Sequence, residues 1–300
     1  MRFYLSVILL TVLVCLSGCQ MTSQDRDVKN YFPLSTAVQI NYQDEVHLLH
    51  LNQLLADDSA LSAEQQARLL YDRALIYDRM GLSAHSHYDL TQVINIDPLF
   101  APAYNTLGFQ LLLNRSYDEA FEAFDSALEL SDKVQYSYLH RAFGLSQVGR
   151  DQLASQDIGK FYDFEPNDPY RILWRYIINS KLDPEQALLN LKNAKQLKDD
   201  HRFAWALIDV IVGRVTEKQL FNVISYDVES NKELAQRLCE AYFYLGYWHK
   251  LSGDLNTAIY YFKLTTAGNI QEFIEYKYAL IELSSIQLRL QRDLRINETD

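Results

Sequence analysis

The chain has 300 residues, 48% hydrophobic and 22% charged, a globular balance that excludes general disorder. Glycine (10) and proline (6) are too scarce for turn-rich β-sandwiches or barrels, so an all-helical chain is favoured, and 21 tyrosines point to aromatic helix packing or a groove. The formal net charge of −11 repels a phosphate backbone and argues against nucleic acid as a partner.

Arg2 is the only charge before Asp25, and an apolar run from Phe3 to about Leu16 follows it. That run is shorter than the roughly 20 apolar residues a membrane-spanning helix needs, and with its basic start it reads as an export signal. It ends in Leu16-Ser17-Gly18-Cys19, which resembles the lipobox of bacterial lipoproteins. The resemblance implies a signal peptide over 1–18, cleavage before Cys19, an S-diacylglyceryl group on its thiol and an N-palmitoyl group on its amine. Gln20, where such lipoproteins carry Asp for inner-membrane retention, implies the periplasmic face of the outer membrane. Acyl chains at one cysteine anchor a chain stably once there are two or more. Residues 19–38 then read as the lipidated N-terminus and a polar tether. Cys15 leaves with the signal, and Cys239 reads as a small core residue.

A helix near Asp44–Ala56 is expected next, followed by internal repeats. Pro98 and Pro166 are 68 residues apart, as are Gly81 and Gly149, while Tyr104 and Tyr138, and Ala120 and Ala154, are 34 apart. Thirty-four residues is the period of the tetratricopeptide repeat (TPR), a helix-turn-helix unit. Clear copies cover 67–100, 101–134, 135–168 and 239–272. Large residues at helical spacing make a buried stripe, small residues such as Gly108, Ala120 and Ala127 admit close helix approach, and Gly81, Gly149 and Gly253 suit turns of positive φ. Looser helices are expected over Tyr170–Ser180, Pro184–Gln196, Arg202–Val212 and Thr216–Ser225, as degenerate pairs within 169–238. An amphipathic helix, Phe273–Leu290, closes the array, and the polar end 291–300 reads as a disordered tail. The fold expected for 39–290 is therefore all-α, a TPR helical-hairpin superhelix, or α-solenoid.

No glycine-rich phosphate loop, His-Glu-x-x-His or Gly-x-Ser-x-Gly is present, and His47 with His50, or His85 with His87, lacks a third ligand, so no catalytic residue, metal or cofactor is expected. The concave face offers a groove. The repeat frame places there Arg68, Tyr71, Leu75 and Asp78 from the first copy, Asn105, Phe109 and Leu112 from the second, and Tyr136, Leu139 and Phe143 from the third. This trough suits an extended or helical peptide, unless several of these residues pack beneath a neighbouring helix or the C-terminal segment. The Lys/Asn/Arg clamp with which co-chaperones of this fold hold a peptide carboxylate is missing, since Tyr71, Leu75, Thr106, Tyr136 and His140 occupy its places.

Lipobox, tether and repeats together resemble the NlpI lipoproteins of Gram-negative envelopes over nearly the whole chain. The most specific stretches are RLLYDRALIYDRMGL at 68–82, YDEAFEAFDSALEL at 117–130, GRDQLASQDIGKFYDFEPNDPYRILWRY at 149–176, YFYLGYWHKLSGDLNTAIYYFKL at 242–264 and EYKYALIELS at 275–284. Ala142 at a small-glycine position and Asp132 at a usual proline depart from the pattern. The resemblance implies a non-enzymatic, homodimeric outer-membrane adaptor. It would bind a periplasmic C-terminal processing protease and murein endopeptidases or other peptidoglycan hydrolases, and so regulate hydrolase turnover, cell-wall synthesis and cell division. The alternative is a TPR lipoprotein of an outer-membrane assembly or secretion machine, barrel-assembly or pilotin-like. An enzyme would require hydrolysis of peptidoglycan by the purified chain alone.

Overall fold

Helices carry the fold, and no strand occurs among the described residues of the computed structural model, which cover 32–39, 41–56, 61–194, 196 and 200–297. The chain divides into two compact units, Met1–Pro33 and Leu34–Asp300, and of the first only Phe32 and Pro33 are described. The expected signal peptide, the lipidation site Cys19 and the tether as far as residue 31 lie outside the described residues. No described helix is long and apolar enough to cross a membrane.

An opening helix, α1 (Tyr42–Ala56), packs on the first of three helical pairs: α2 (Ala63–Arg79) with α3 (Ser83–Ile96), α4 (Ala101–Leu113) with α5 (Tyr117–Leu130), and α6 (Tyr136–Gln147) with α7 (Asp151–Phe164). Two shorter pairs follow, α8 (Pro169–Asn179) with α9 (Pro184–Lys192) and α10 (Ala204–Ile211) with α11 (Glu217–Ile224). The long α12 (Asn231–Leu251) pairs with α13 (Leu255–Ala267), and α14 (Ile274–Asn297) ends the chain. Each clear sequence repeat is thus one antiparallel helical pair, and successive pairs stack into a TPR superhelix. Local chemistry sets the boundaries. Ser62 and Gln65 form a capping box on α2, Thr216 and Gln219 another on α11, and the Asp183 carboxylate accepts the Gln186 amide at 2.9 Å.

The 34-residue period recurs in the turns. Gly81 and Gly149 sit at φ 75° and 76° between the helices of their pairs, and Gly253 at 87°. The equivalent turn of the second pair has no glycine, and Arg115 takes the left-handed conformation there, at φ 64°.

Within each pair, position and partner lie sixteen residues apart. A Cβ on Gly108 would sit 2.7 Å from the Phe124 ring, and one on Gly246 2.8 Å from Phe262, so glycine lets a buried aromatic of the second helix press onto the first. Where the small residue is Ala74, the residue sixteen on is the smaller Leu90, in the same core cluster. The same interval sets an ion pair in two repeats. Arg73 clasps Asp89 through two bonds of 2.7 and 2.8 Å, and Arg141 clasps Asp157 through two of 2.7 Å. Asp89 is buried, so the guanidinium answers a charge that water does not reach.

Two segments differ from the sequence expectation. The last residues assigned to the tether are docked: the Thr36 amide donates to Asn231 Oδ1 and Asn231 Nδ2 to the Thr36 carbonyl, both at 2.9 Å, and the Val38 amide donates to the Gly268 carbonyl at 2.9 Å. These bonds satisfy an extended backbone with no strand partner, and Val38 covers the cluster of Ala235, Cys239 and Ile270. Cys239 is a buried core residue whose thiol burial pushes up. At the other end, α14 does not stop at Leu290 but continues to Asn297, because no proline or glycine interrupts 274–297.

Candidate functional site

The concave face is largely filled by α14. Its side chains engage the first helix of four successive pairs and α12. Lys277 makes an ion pair with Asp78 of α2, and its ammonium lies 5.5 Å from the Phe109 ring of α4. Tyr278, fully buried, stacks on Phe143 of α6 at 4.0 Å, meets Trp174 of α8 edge-on at 5.1 Å, and shares a 2.6 Å hydrogen bond with His140 Nδ1. Glu282, also fully buried, takes hydrogen bonds from Tyr247 and Lys250 of α12 and from Gln147 Nε2 of α6 at 2.7 Å. Burial pushes the Glu282 carboxyl up, but the Lys250 charge and these donors outweigh it and leave the group below its ordinary range. Burial, with the Lys277 charge, drives His140 down to about 3, so the imidazole is neutral.

Of the residues that the repeat frame assigns to the groove, several pack beneath this C-terminal helix. Phe109, Leu112, Leu139 and Phe143 are buried, and Phe109 and Phe143 pack on Tyr278 rather than facing solvent. Asp78 is held by Lys277, and Asn105 Oδ1 accepts the Ser137 hydroxyl at 2.8 Å. Tyr71 packs on Phe100 at 5.0 Å, while Leu75 turns to a hollow shared with His47, His50 and Arg79. Arg68 is exposed. Tyr136, about half exposed, and the buried Leu139 line a further open space.

That space is a pocket of about 550 Å³ between α6, α8, α12 and the start of α14. Tyr136, Leu139, Phe161, Tyr170, Trp174 and Phe273 form apolar walls, and Glu165, Asp168, Glu240, Glu272 and Glu275 supply carboxylates. The one cation in the lining, Arg171, is engaged within the fold: it donates to the Phe161 carbonyl and to Gln135 Oε1, both at 2.5 Å, and lies 4.2 Å from the Phe161 ring. Asp168 caps α8, accepting the Tyr170 amide at 2.7 Å, and pairs with Arg202 at 2.6 Å, and Glu272 pairs with Lys232 at 3.2 Å. Glu240 and Glu275 differ, because neither is ion-paired among the described residues. Each has a phenol instead, Tyr170 to Glu240 at 2.6 Å and Tyr244 to Glu275 at 3.2 Å. Burial raises both carboxyls toward neutrality, and the Glu275 charge adds to the rise at Glu240.

A pocket of aromatic walls around carboxylates that lack a cation is suited to a cationic side chain, whose stem packs on the rings while its head neutralises the acid pair. No group of three metal-ligating side chains occurs among the described residues. Sequence periodicity led to Tyr136 and Leu139 but missed Tyr170, Glu240 and Glu275, since two of these lie on α12 and α14, outside the contiguous repeats. The signal for them is a pair of acidic residues, Glu240 and Glu275, inside otherwise apolar helical stretches.

No family profile matches the chain. Among solved structures, it is similar to the C-terminal part of a TPR repeat-containing protein from Cytophaga hutchinsonii, with a TM-score of 0.43 and 13% identity over 75% of this chain and 78% of that one. It is similar also to pilF of Pseudomonas aeruginosa (TM-score 0.38, 14% identity, 80% of this chain and 97% of that) and to MamA (0.39, 11%, 68% and 91%). At such identities and TM-scores the likeness says nothing of function or partners.

Proposed function

We propose that the chain is a non-enzymatic adaptor, anchored through acylated Cys19 to the periplasmic face of the outer membrane, that holds peptidoglycan hydrolases and a C-terminal processing protease together. The observation that carries the adaptor reading is the acid-and-aromatic pocket on the concave face, open beside α14 and poor in free cations. It fits a lysine or arginine presented by a client segment. The hydrolase and protease identities come from the resemblance of the lipobox and repeats to the NlpI lipoproteins. A tethered scaffold with separate faces for two clients raises their mutual concentration without new contacts between them.

The test is capture from an envelope extract by residues 20–300, beside the same chain with Tyr136→Ala or Glu240→Lys. Murein endopeptidases and a processing protease should be retained by the parent chain, and the client that uses the pocket should be lost with Glu240→Lys. Retention of neither sinks the adaptor reading. Retention of a β-barrel complex in their place transfers the chain to the assembly-machine class.

A further inference from the structure

On a chain of net charge −11, four arginines converge where the C-terminal part of α14 meets the turn of the second helical pair. Arg289, Arg292 and Arg295 of α14 face Arg115, in the α4–α5 turn, across a pocket of about 530 Å³ that Gln147, Ser285 and Leu288 complete. No carboxylate is among these lining residues. Arg115, Arg289 and Arg292 have no ion-pair partner among the described residues, and Arg115 Nη1 only donates to Ser284 Oγ at 3.3 Å. Arg73 and Arg141, by contrast, are each clasped by an aspartate.

Arg115 itself supplies a second observation. The equivalent turns at 81 and 149 use glycine for their positive φ, whereas Arg115 adopts φ 64° with a full side chain. A non-glycine residue there carries backbone strain, and such strain persists where the side chain is wanted. The helical face that bears Ser285, Arg292 and Arg295 also bears Leu288, 46% exposed, so the basic cluster surrounds an apolar spot. A free inorganic anion has no use for that leucine, and a folded acidic protein would need a broader flat surface.

We propose that this pocket binds the phosphate of an anionic phospholipid headgroup, with Leu288 against the glycerol and upper acyl region, and so docks this face of the superhelix on a membrane surface. Guanidinium groups bind phosphate oxygens in pairs, and arginines near an anionic bilayer add attraction that salt screens. The site does not depend on the acyl anchor, so it is tested on residues 20–300, which lack Cys19 and keep every described residue.

The experiment is co-sedimentation with vesicles of phosphatidylcholine containing phosphatidylglycerol, at low and high salt, with pure phosphatidylcholine alongside. The parent chain should bind only the anionic vesicles, and Arg289→Gln with Arg292→Gln should weaken binding about thirtyfold. Arg115→Gly is the sharper variant: it relieves the backbone, so its urea midpoint should hold or rise while vesicle affinity falls. Equal binding by parent and variants, or none to anionic vesicles, overturns the proposal. So does retention on immobilised polyglutamate without vesicle binding, which would assign the patch to an acidic protein. Displacement by millimolar inorganic phosphate with no vesicle binding would leave a free-phosphate site and likewise refute the lipid.

Discussion

If α14 is an integral part of the groove rather than a removable flap, the fold should be sensitive to the loss of the Tyr278 side chain. It is completely buried, stacks on Phe143 at 4.0 Å, and has Trp174 at 5.1 Å and Phe109 at 5.4 Å edge-on. Removing a buried aromatic ring costs about 3–5 kcal/mol through lost transfer energy and the cavity left behind. The hydroxyl adds a separate increment. Its 2.6 Å bond is with His140 Nδ1, and a buried polar atom left without its partner costs about 1–3 kcal/mol. Tyr278→Phe should therefore lose only that smaller increment, and Tyr278→Ala both. The assay is urea denaturation of residues 20–300 at pH 7, followed by circular dichroism, comparing midpoints at a common slope. A cost below about 1 kcal/mol for Tyr278→Ala, against that scale for buried aromatics, would refute the packed-groove reading. So would equal losses for the two variants, because the ring would then contribute nothing beyond its hydroxyl.

Gly108→Ala should destabilise by about 1–3 kcal/mol despite alanine's better helix propensity, because its methyl would lie 2.7 Å from the Phe124 ring. Gly159→Ala, mid-helix with no atom within 4 Å of the new methyl, should stabilise by up to about 1 kcal/mol, and thermal melts of the two should move in opposite directions. The raised Glu240 and Glu275 carboxyls make the fold hold protons that the unfolded chain releases near pH 4.5. Their stabilising contribution is thus complete below that pH and lost as pH rises through about 7 and 8. Glu240→Gln should raise the urea midpoint at pH 8 and flatten its fall between pH 5 and 8, and a variant that tracks the parent across this range would contradict the acid-pair reading. His140 works with the opposite sign. Held neutral in the fold, it contributes stability above about 6.5 that is lost as pH falls toward 3.

Much of the scaffold was legible because the repeat states each requirement more than once. Gly81 and Gly149 mark the same turn, and the helices expected from Pro184 and from Thr216 begin at Pro184 and Glu217. The Arg73–Asp89 and Arg141–Asp157 clasps, offset by 68 residues, were equally readable as residue types at a period, though hydrophobic spacing alone passes over them. The groove was not legible in this way. A stripe such as that of EYKYALIELS buries equally well at the end of a stack or inside its concavity, since periodicity names the face of a helix and not its address. Phe109 and Phe143 therefore read equally as an open trough or as packed beneath the C-terminal segment, and α14 lies over them.

What fixes that address is polar. Apolar side chains alone would oppose a one-turn slide of α14 less sharply, because Ile274 and Ile281, one turn from Tyr278, are also apolar. Lys277 and Glu282 prevent this. Each is buried, and each meets one opposite charge at its present position: Asp78 on α2 for the lysine, Lys250 on α12 for the glutamate. A one-turn shift would leave two charges desolvated and unpaired, a cost of several kcal/mol for each broken pair. Buried ion pairs add little net stability over apolar substitutes, so their value here is registry. With α14 held in one register, Glu275 joins Glu240 in the lining of one pocket, and the arginines at 289, 292 and 295 join Arg115 in the lining of another. The same two buried charges thereby set the composition of an acidic pocket and a basic one on a single helix.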